Sequence, residues 1–178
     1  MSTTIYTLTS VTDANGCIQS LSDSKTLTVN EIPVVDVSGT TEICRGDLTN
    51  INFDFSAGLA PWTLFYNINN TVATPFSLSN IADSISVSPT TTSVYTYTAI
   101  LDANLCGSNF TDAVTITVNQ LPEVEVSGGG EICDDGSTVD VIFNTSSGTP
   151  TFNFEYTVGI NNKIISNVGY QHVIATNE

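Results

Sequence analysis

Ile5-Tyr6-Thr7-Leu8-Thr9-Ser10-Val11-Thr12-Asp13-Ala14-Asn15-Gly16-Cys17 and Val94-Tyr95-Thr96-Tyr97-Thr98-Ala99-Ile100-Leu101-Asp102-Ala103-Asn104-Leu105-Cys106 are two copies of one pattern. Each alternates apolar with polar residues, which lines one face of a strand with apolar groups, and each ends in a turn former, Asp-Ala-Asn. Tyr6, Asp13, Asn15, Cys17, Val29 and Pro33 recur as Tyr95, Asp102, Asn104, Cys106, Val118 and Pro122, 89 residues later in every case. A constant internal period of this size predicts an array of similar modules, and arrays serve reach, spacing or multivalent contact.

Working outward, residues 1–30 match 90–119, and 31–66 match 120–156 with one residue inserted in the later copy. Gly58, Trp62, Leu64 and Tyr66 then align with Gly148, Phe152, Phe154 and Tyr156 at an offset of 90. The predicted order is an F–G hairpin closing a preceding repeat (1–30), a complete repeat (31–119) and an incomplete following repeat (120–178). Inside the complete repeat, Ile51, Phe53 and Phe55 alternate with polar residues, as do Trp62, Leu64 and Tyr66. Ile85 and Val87, then Tyr95, Tyr97 and Ala99, then Val114, Ile116 and Val118 continue the period, and Val35–Val37 supplies the first strand.

The expected fold class is therefore all-β: tandem immunoglobulin-like antiparallel β-sandwich repeats, with about seven strands in the complete one. Trp62 and Phe152 stand where the third strand crosses the core, and Tyr6 and Tyr95 open the penultimate strand. The inter-sheet disulfide of antibody domains is missing. Asn30-Glu31-Ile32-Pro33 and Asn119-Gln120-Leu121-Pro122 read as short, stiff junctions, because proline fixes φ and removes a donor. A lone hairpin and an open sandwich are each marginal. Head-to-tail self-association, in which the hairpin of one chain completes the open sandwich of another, is thus an expectation of the pattern.

The charge excludes several partners. Lys and Arg number 3 against 18 Asp and Glu, for a net charge of −15. A nucleic-acid backbone would be repelled, and an anionic membrane surface is disfavoured. No apolar run approaches the ~20 residues that cross a bilayer, so a membrane-embedded chain is not expected. Met1-Ser2-Thr3-Thr4 carries neither a basic start nor an apolar stretch, so no signal peptide is read there, and the chain is expected to be a piece of a longer protein.

Few residues suggest chemistry. Cys17, Cys44, Cys106 and Cys133 are disulfide candidates with pairing open. Cys44 and Cys106, of one repeat, would lie at opposite ends of the sandwich, roughly 25–30 Å apart by strand length. A bridge from the lower loop of one repeat to the hairpin tip of the next is geometrically easier. Asp13 with Asn15, Asp102 with Asn104, and Asp134, Asp135 and Asp140 could supply oxygen ligands to calcium, but no full calcium loop is present. A tight turn explains Asp-Ala-Asn-Gly better. Arg45-Gly46-Asp47 becomes Asp134-Asp135-Gly136 in the next copy, and reads as a polar turn. His172 has no acid and nucleophile in register, so it reads as an exposed strand residue rather than a triad member. Tyr66, Tyr156 and Tyr170 could form a sugar-stacking platform, against the plainer reading of strand packing. Catalytic, cofactor and metal residues are none, and no enzyme is expected.

Three stretches carry a family resemblance. Tyr6-Thr7-Leu8-Thr9-Ser10-Val11-Thr12-Asp13-Ala14-Asn15-Gly16-Cys17 closes one repeat, Val126-Ser127-Gly128-Gly129-Gly130-Glu131-Ile132-Cys133 opens another, and Ala60-Pro61-Trp62-Thr63-Leu64 marks the third strand. Together they resemble the tandem Ig-like/PKD-like repeats of very large Bacteroidetes cell-surface adhesins, including those of gliding motility. The resemblance implies a secreted filament exported by the type IX system, displayed on the outer cell surface, with no catalytic residues to carry over. It also implies an O-glycosylation pattern at Asp83-Ser84-Ile85, although a polar turn before a strand explains those residues better. The chain departs from the pattern at Leu105, where the first copy has Gly16, and at Asp134-Asp135, where the earlier copy has Arg45-Gly46. The expected function is a repetitive extracellular adhesin segment whose partners are neighbouring repeats and an external surface or polysaccharide. Its rival is a carbohydrate-binding module array.

Overall fold

The computed structural model describes residues 3–176. Met1 and Ser2, which bear on the signal-peptide reading, lie outside the described residues. Among the described residues there are sixteen strands and no helix. In chain order they are β1 (Thr4–Thr12), β2 (Ile18–Leu27), β3 (Val34–Ser38), β4 (Thr41–Cys44), β5 (Thr49–Ala57), β6 (Trp62–Ile68), β7 (Thr71–Val72) and β8 (Phe76–Leu78). Then come β9 (Ala82–Val87), β10 (Ser93–Leu101), β11 (Gly107–Asn119), β12 (Val124–Gly128), β13 (Val139–Thr145), β14 (Phe152–Val158), β15 (Asn161–Val168) and β16 (Gln171–Thr176). The fold is all-β, built from antiparallel sheets packed as immunoglobulin-like sandwiches.

Contacts divide the chain into two compact units. One runs up to Gly39 and includes Asn50–Ile85 and Val94–Val114; the other holds Thr40–Thr49, Ser86–Ser93 and everything from Thr115 onward.

In the first unit, β3 pairs β5 and β5 pairs β9, while β6 pairs β10 on one edge and β7 and β8 on the other. Ile51, Phe53 and Phe55 point inward from β5, and Trp62 and Leu64 from β6, as their alternation dictates. Phe55 stacks on Trp62 with centroids 4.2 Å apart. Tyr97 meets Phe53 edge-on at 5.3 Å and Tyr66 face-on at 5.5 Å. Burying such rings supplies most of the hydrophobic driving force in a small sandwich.

One inward residue differs from the alternation. Ala99 should follow Tyr97 into the core, but the register with β6 shifts between Tyr97 and Ala99. This bulge leaves Ala99 half-buried and turns Ile100 inward. The first unit also contains the hairpin β1–β2, whose own register shifts between Leu8 and Ser10, with the extra residue on β2.

In the second unit, β4 runs parallel to the end of β11, from Thr41 opposite Ile116 to Cys44 opposite Asn119. Thr40 and Thr92 hydroxyls accept the N–H groups of Thr115 and Val118, so this stretch is tied by side chains as well. The three strands β12-β13-β16 form one sheet and β14–β15 another. Between them Phe143 touches Phe154 and Tyr156, and Phe152 touches Tyr170.

Candidate functional site: the hairpin tip and its docking turn

The Asp-Ala-Asn turn between β10 and β11 is more than a reversal of the chain. Asp102 Oδ1 accepts the N–H groups of Asn104 and Cys106, both at 2.9 Å, which closes the turn on itself. Its other oxygen, Oδ2, accepts the Leu59 N–H at 3.0 Å. Ala103 N–H in turn donates to the Leu59 carbonyl at 2.9 Å. The tip of one hairpin is thereby fastened to the β5–β6 turn, 43 residues earlier. Burial opposes charge on Asp102, but the N–H donors of Leu59, Cys106 and Asn104 outweigh it and hold the carboxyl below its ordinary value. Oδ1 of Asp13, in the first copy, accepts the Asn15 and Cys17 N–H groups at 3.0 and 2.8 Å, so the internal part of the turn repeats.

The receiving turn is shaped by a contact that only glycine permits. Gly58 has φ +89, and a Cβ there would sit 2.8 Å from Pro33 Cβ and 3.0 Å from Trp62 Nε1. Pro33 is fully buried in consequence. Gly148 repeats the device, with φ +90 and a Cβ position 3.1 Å from Pro122 and 3.2 Å from the Phe152 ring. The junction prolines, read from sequence as stiff connectors, are thus also packed against the turn that receives the hairpin tip. Sequence reasoning missed this because nothing local links Pro33 to Gly58; the recurrence of proline, glycine and aromatic in both copies was the available signal.

The cysteines do not converge. All four are free thiols, with Cys17, Cys44 and Cys133 exposed and Cys106 half-buried. Cys44 lies opposite Asn119, the last residue of β11, and Cys106 immediately precedes Gly107, the first. Thirteen strand residues separate those ends, about 40 Å along the strand, so the two cannot bridge.

Several of the acidic side chains are spent on turns. Asp47 Oδ2 accepts the Cys44 N–H within the Arg45-Gly46-Asp47 loop. Asp135 accepts both the hydroxyl and the N–H of Ser137, and these bonds lower its pKa. Among the described residues no three His, Cys, Asp or Glu side chains cluster as a metal site would need. Asp83 accepts from Asn80 Nδ2 and from the Ser84 N–H. His172 lies in β16 opposite Phe143 and is half-buried rather than exposed. Tyr66 and Tyr156 pack on core aromatics; Tyr170 is exposed and packs on Phe152. Among the described residues no helix is long and apolar enough to cross a membrane.

No family model matches the chain. Nucleoporin POM152 of Saccharomyces cerevisiae is 27% identical over 167 residues, a match that covers 84% of this chain and 12% of that protein. The chain therefore spans a small fraction of the relative's length.

Proposed function

We propose that this chain is a segment of a repetitive extracellular adhesin, in which serial Ig-like modules give reach and repeat a weak surface contact many times. The observation that carries the reading is the repetition itself. The same hairpin sequence, the same Asp-centred turn and the same proline–glycine–aromatic packing recur at a near-constant spacing. Repeating a module's joints on a strongly acidic chain suits a load-bearing spacer better than a catalyst. The residues that carry the role are structural: Asp13 and Asp102 at the hairpin tips, Pro33 and Pro122 at the junctions, and the core strands. Display on the outer cell surface, export by the type IX system and a part in gliding motility complete the proposal, and rest on the resemblance of the repeats rather than on the nucleoporin similarity.

Avidity gives the test. Beads carrying many copies of the chain should adhere to polysaccharide-coated or glass surfaces at least ~100-fold more persistently than beads carrying few, because linked weak contacts multiply. Failure of densely coated beads to adhere to any such surface would sink the adhesin reading. Binding of the isolated chain to defined glycans at single-site stoichiometry would favour the carbohydrate-binding rival.

A further inference from the structure

Both proline junctions carry an open groove on a shared framework. Before Pro122, the residues Arg45, Thr90, Gln120, Leu121, Glu123 and Ser147 line a groove of about 480 Å³, all of them in the second compact unit. Before Pro33, Glu31, Ile32, Ser56 and Ala57 line another of about 490 Å³, in the first unit. Glu31, Ile32 and Ala57 are the repeat counterparts of Gln120, Leu121 and Ser147. The opening is not left by an absent neighbour. All the strands from β3 to β11 precede the junction at Pro122 and follow the one at Pro33, yet a groove stands at each. Leu121 and Ile32, large and apolar, are 51% and 60% exposed on these ledges. Volumes of this size are those of small-molecule sites.

The groove before Pro122 has fixed walls. Arg45 N–H donates to the Asn119 carbonyl at 2.9 Å, and the Ser88 hydroxyl to the Asp47 carbonyl at 2.9 Å, which pins the Arg45-Gly46-Asp47 loop beside β11. Opposite, Ser147 Oγ donates to the Leu121 carbonyl at 2.6 Å and Ser146 N–H to the Glu123 carbonyl at 2.9 Å. The lining is chemically mixed. Arg45 brings a planar fork of donors, Gln120 a donor and an acceptor in one plane, and Glu123 paired acceptors, beside apolar Leu121. One cation and one anion balance there, in a chain whose net charge is −15. That charge repels a polyanion, and a cation finds carboxylates all over the surface without needing a groove. The ligand that uses this arrangement is neutral, with adjacent hydroxyls on its rim and C–H groups on its face.

We propose that the groove before Pro122 binds a neutral hexose unit of a polysaccharide, with Arg45, Gln120 and Glu123 on its paired hydroxyls and Leu121 against its C–H face. The groove before Pro33, with Glu31 and Ile32 but no arginine, takes the same ligand more weakly. The contact therefore repeats from junction to junction, as avidity requires. The inference rests on the adhesin reading for the source of the sugar, and gives that reading a contact site and a ligand class.

Amide NMR on the full 178-residue chain, titrated with neutral tetrasaccharides of glucose, mannose and galactose, tests it. At least one probe should bind with a dissociation constant in the millimolar range. The amides of Gly46, Gln120 and Leu121 should shift first, and those of Glu31 and Ile32 at higher concentration. Arg45→Ala should weaken the first site about fivefold or more and leave the second unchanged. Arg45→Lys should restore little, because an ammonium lacks the fork. Arg45 is exposed and its backbone bond survives in both variants, so the amide spectrum should stay that of the folded chain. Sodium chloride should leave the binding unchanged. No shift with any of the three neutral probes, shifts remote from both junctions, full recovery in Arg45→Lys, or a preference for tetragalacturonate or a chitosan tetramer would each overturn the proposal. Densely coated beads separate it from the adhesin reading. Arg45→Ala beads that adhere as persistently as native ones would remove the groove and leave adhesion standing. Native beads that fail to adhere, while the groove amides still respond to a neutral probe, would remove adhesion and leave the site.

Discussion

Asp102 shows how one side chain can join two loops of a β-sandwich. Its carboxylate serves three backbone N–H groups that would otherwise be left without acceptors, and an unmet buried donor is costly. Its folded pKa lies below the ordinary 3.8. The stabilisation is therefore full above that value and is lost as pH falls through the lowered folded value. Asp102→Ala should melt well below the native chain at about pH 6, and the gap should narrow as pH drops below about 4. Paired thermal melts across that range check it; a gap that stays constant with pH would mean that Asp102 acts through shape and not through its charge. Leu105, three residues on, holds φ +61 where the other copy has Gly16 at φ +85. The turn geometry thus survives replacement of its glycine, which shows how firmly the Asp102 bonds impose it.

At the scale of the element, the bulge in β10 decides which residues face the core. Ile100→Ala should cost about 2–4 kcal/mol, as removal of a fully buried branched side chain does, whereas Ala99→Ser should cost less than about 0.5 kcal/mol. Urea titrations of the two variants compare them directly; equal costs would mean that the bulge is absent in solution. Strict alternation predicts the reverse ranking, and here sequence legibility ends. Strands whose inward residues are large and regularly spaced, such as Ile51, Phe53 and Phe55, were readable, because period-two burial needs nothing but the pleat. The bulge was not, since an inserted residue follows from pairing with β6, not from local composition. β4 was hidden for a similar reason: Thr41–Cys44 is too short to show a period, and its pairing is with the end of β11, far along the chain. Of the candidate site, Asp102 was legible only as a turn former, and its bond to Leu59 needed the fold.

At the scale of the whole molecule, the acidity works against the compact state. The chain carries a net charge of −15, with 3 Lys and Arg against 18 Asp and Glu, so its surface carboxylates repel one another wherever they come within about a Debye length. From roughly 0.01 M to 1 M salt that length shrinks from roughly 30 Å to 3 Å, which removes the repulsion but leaves apolar burial in place. The melting temperature at neutral pH should therefore rise steadily as sodium chloride is raised. Thermal melts at several salt concentrations measure this, and the gain should be smaller at about pH 4, where many carboxylates carry protons. A melting temperature that falls with salt would mean that ion pairs, and not self-repulsion, dominate the surface electrostatics of the chain.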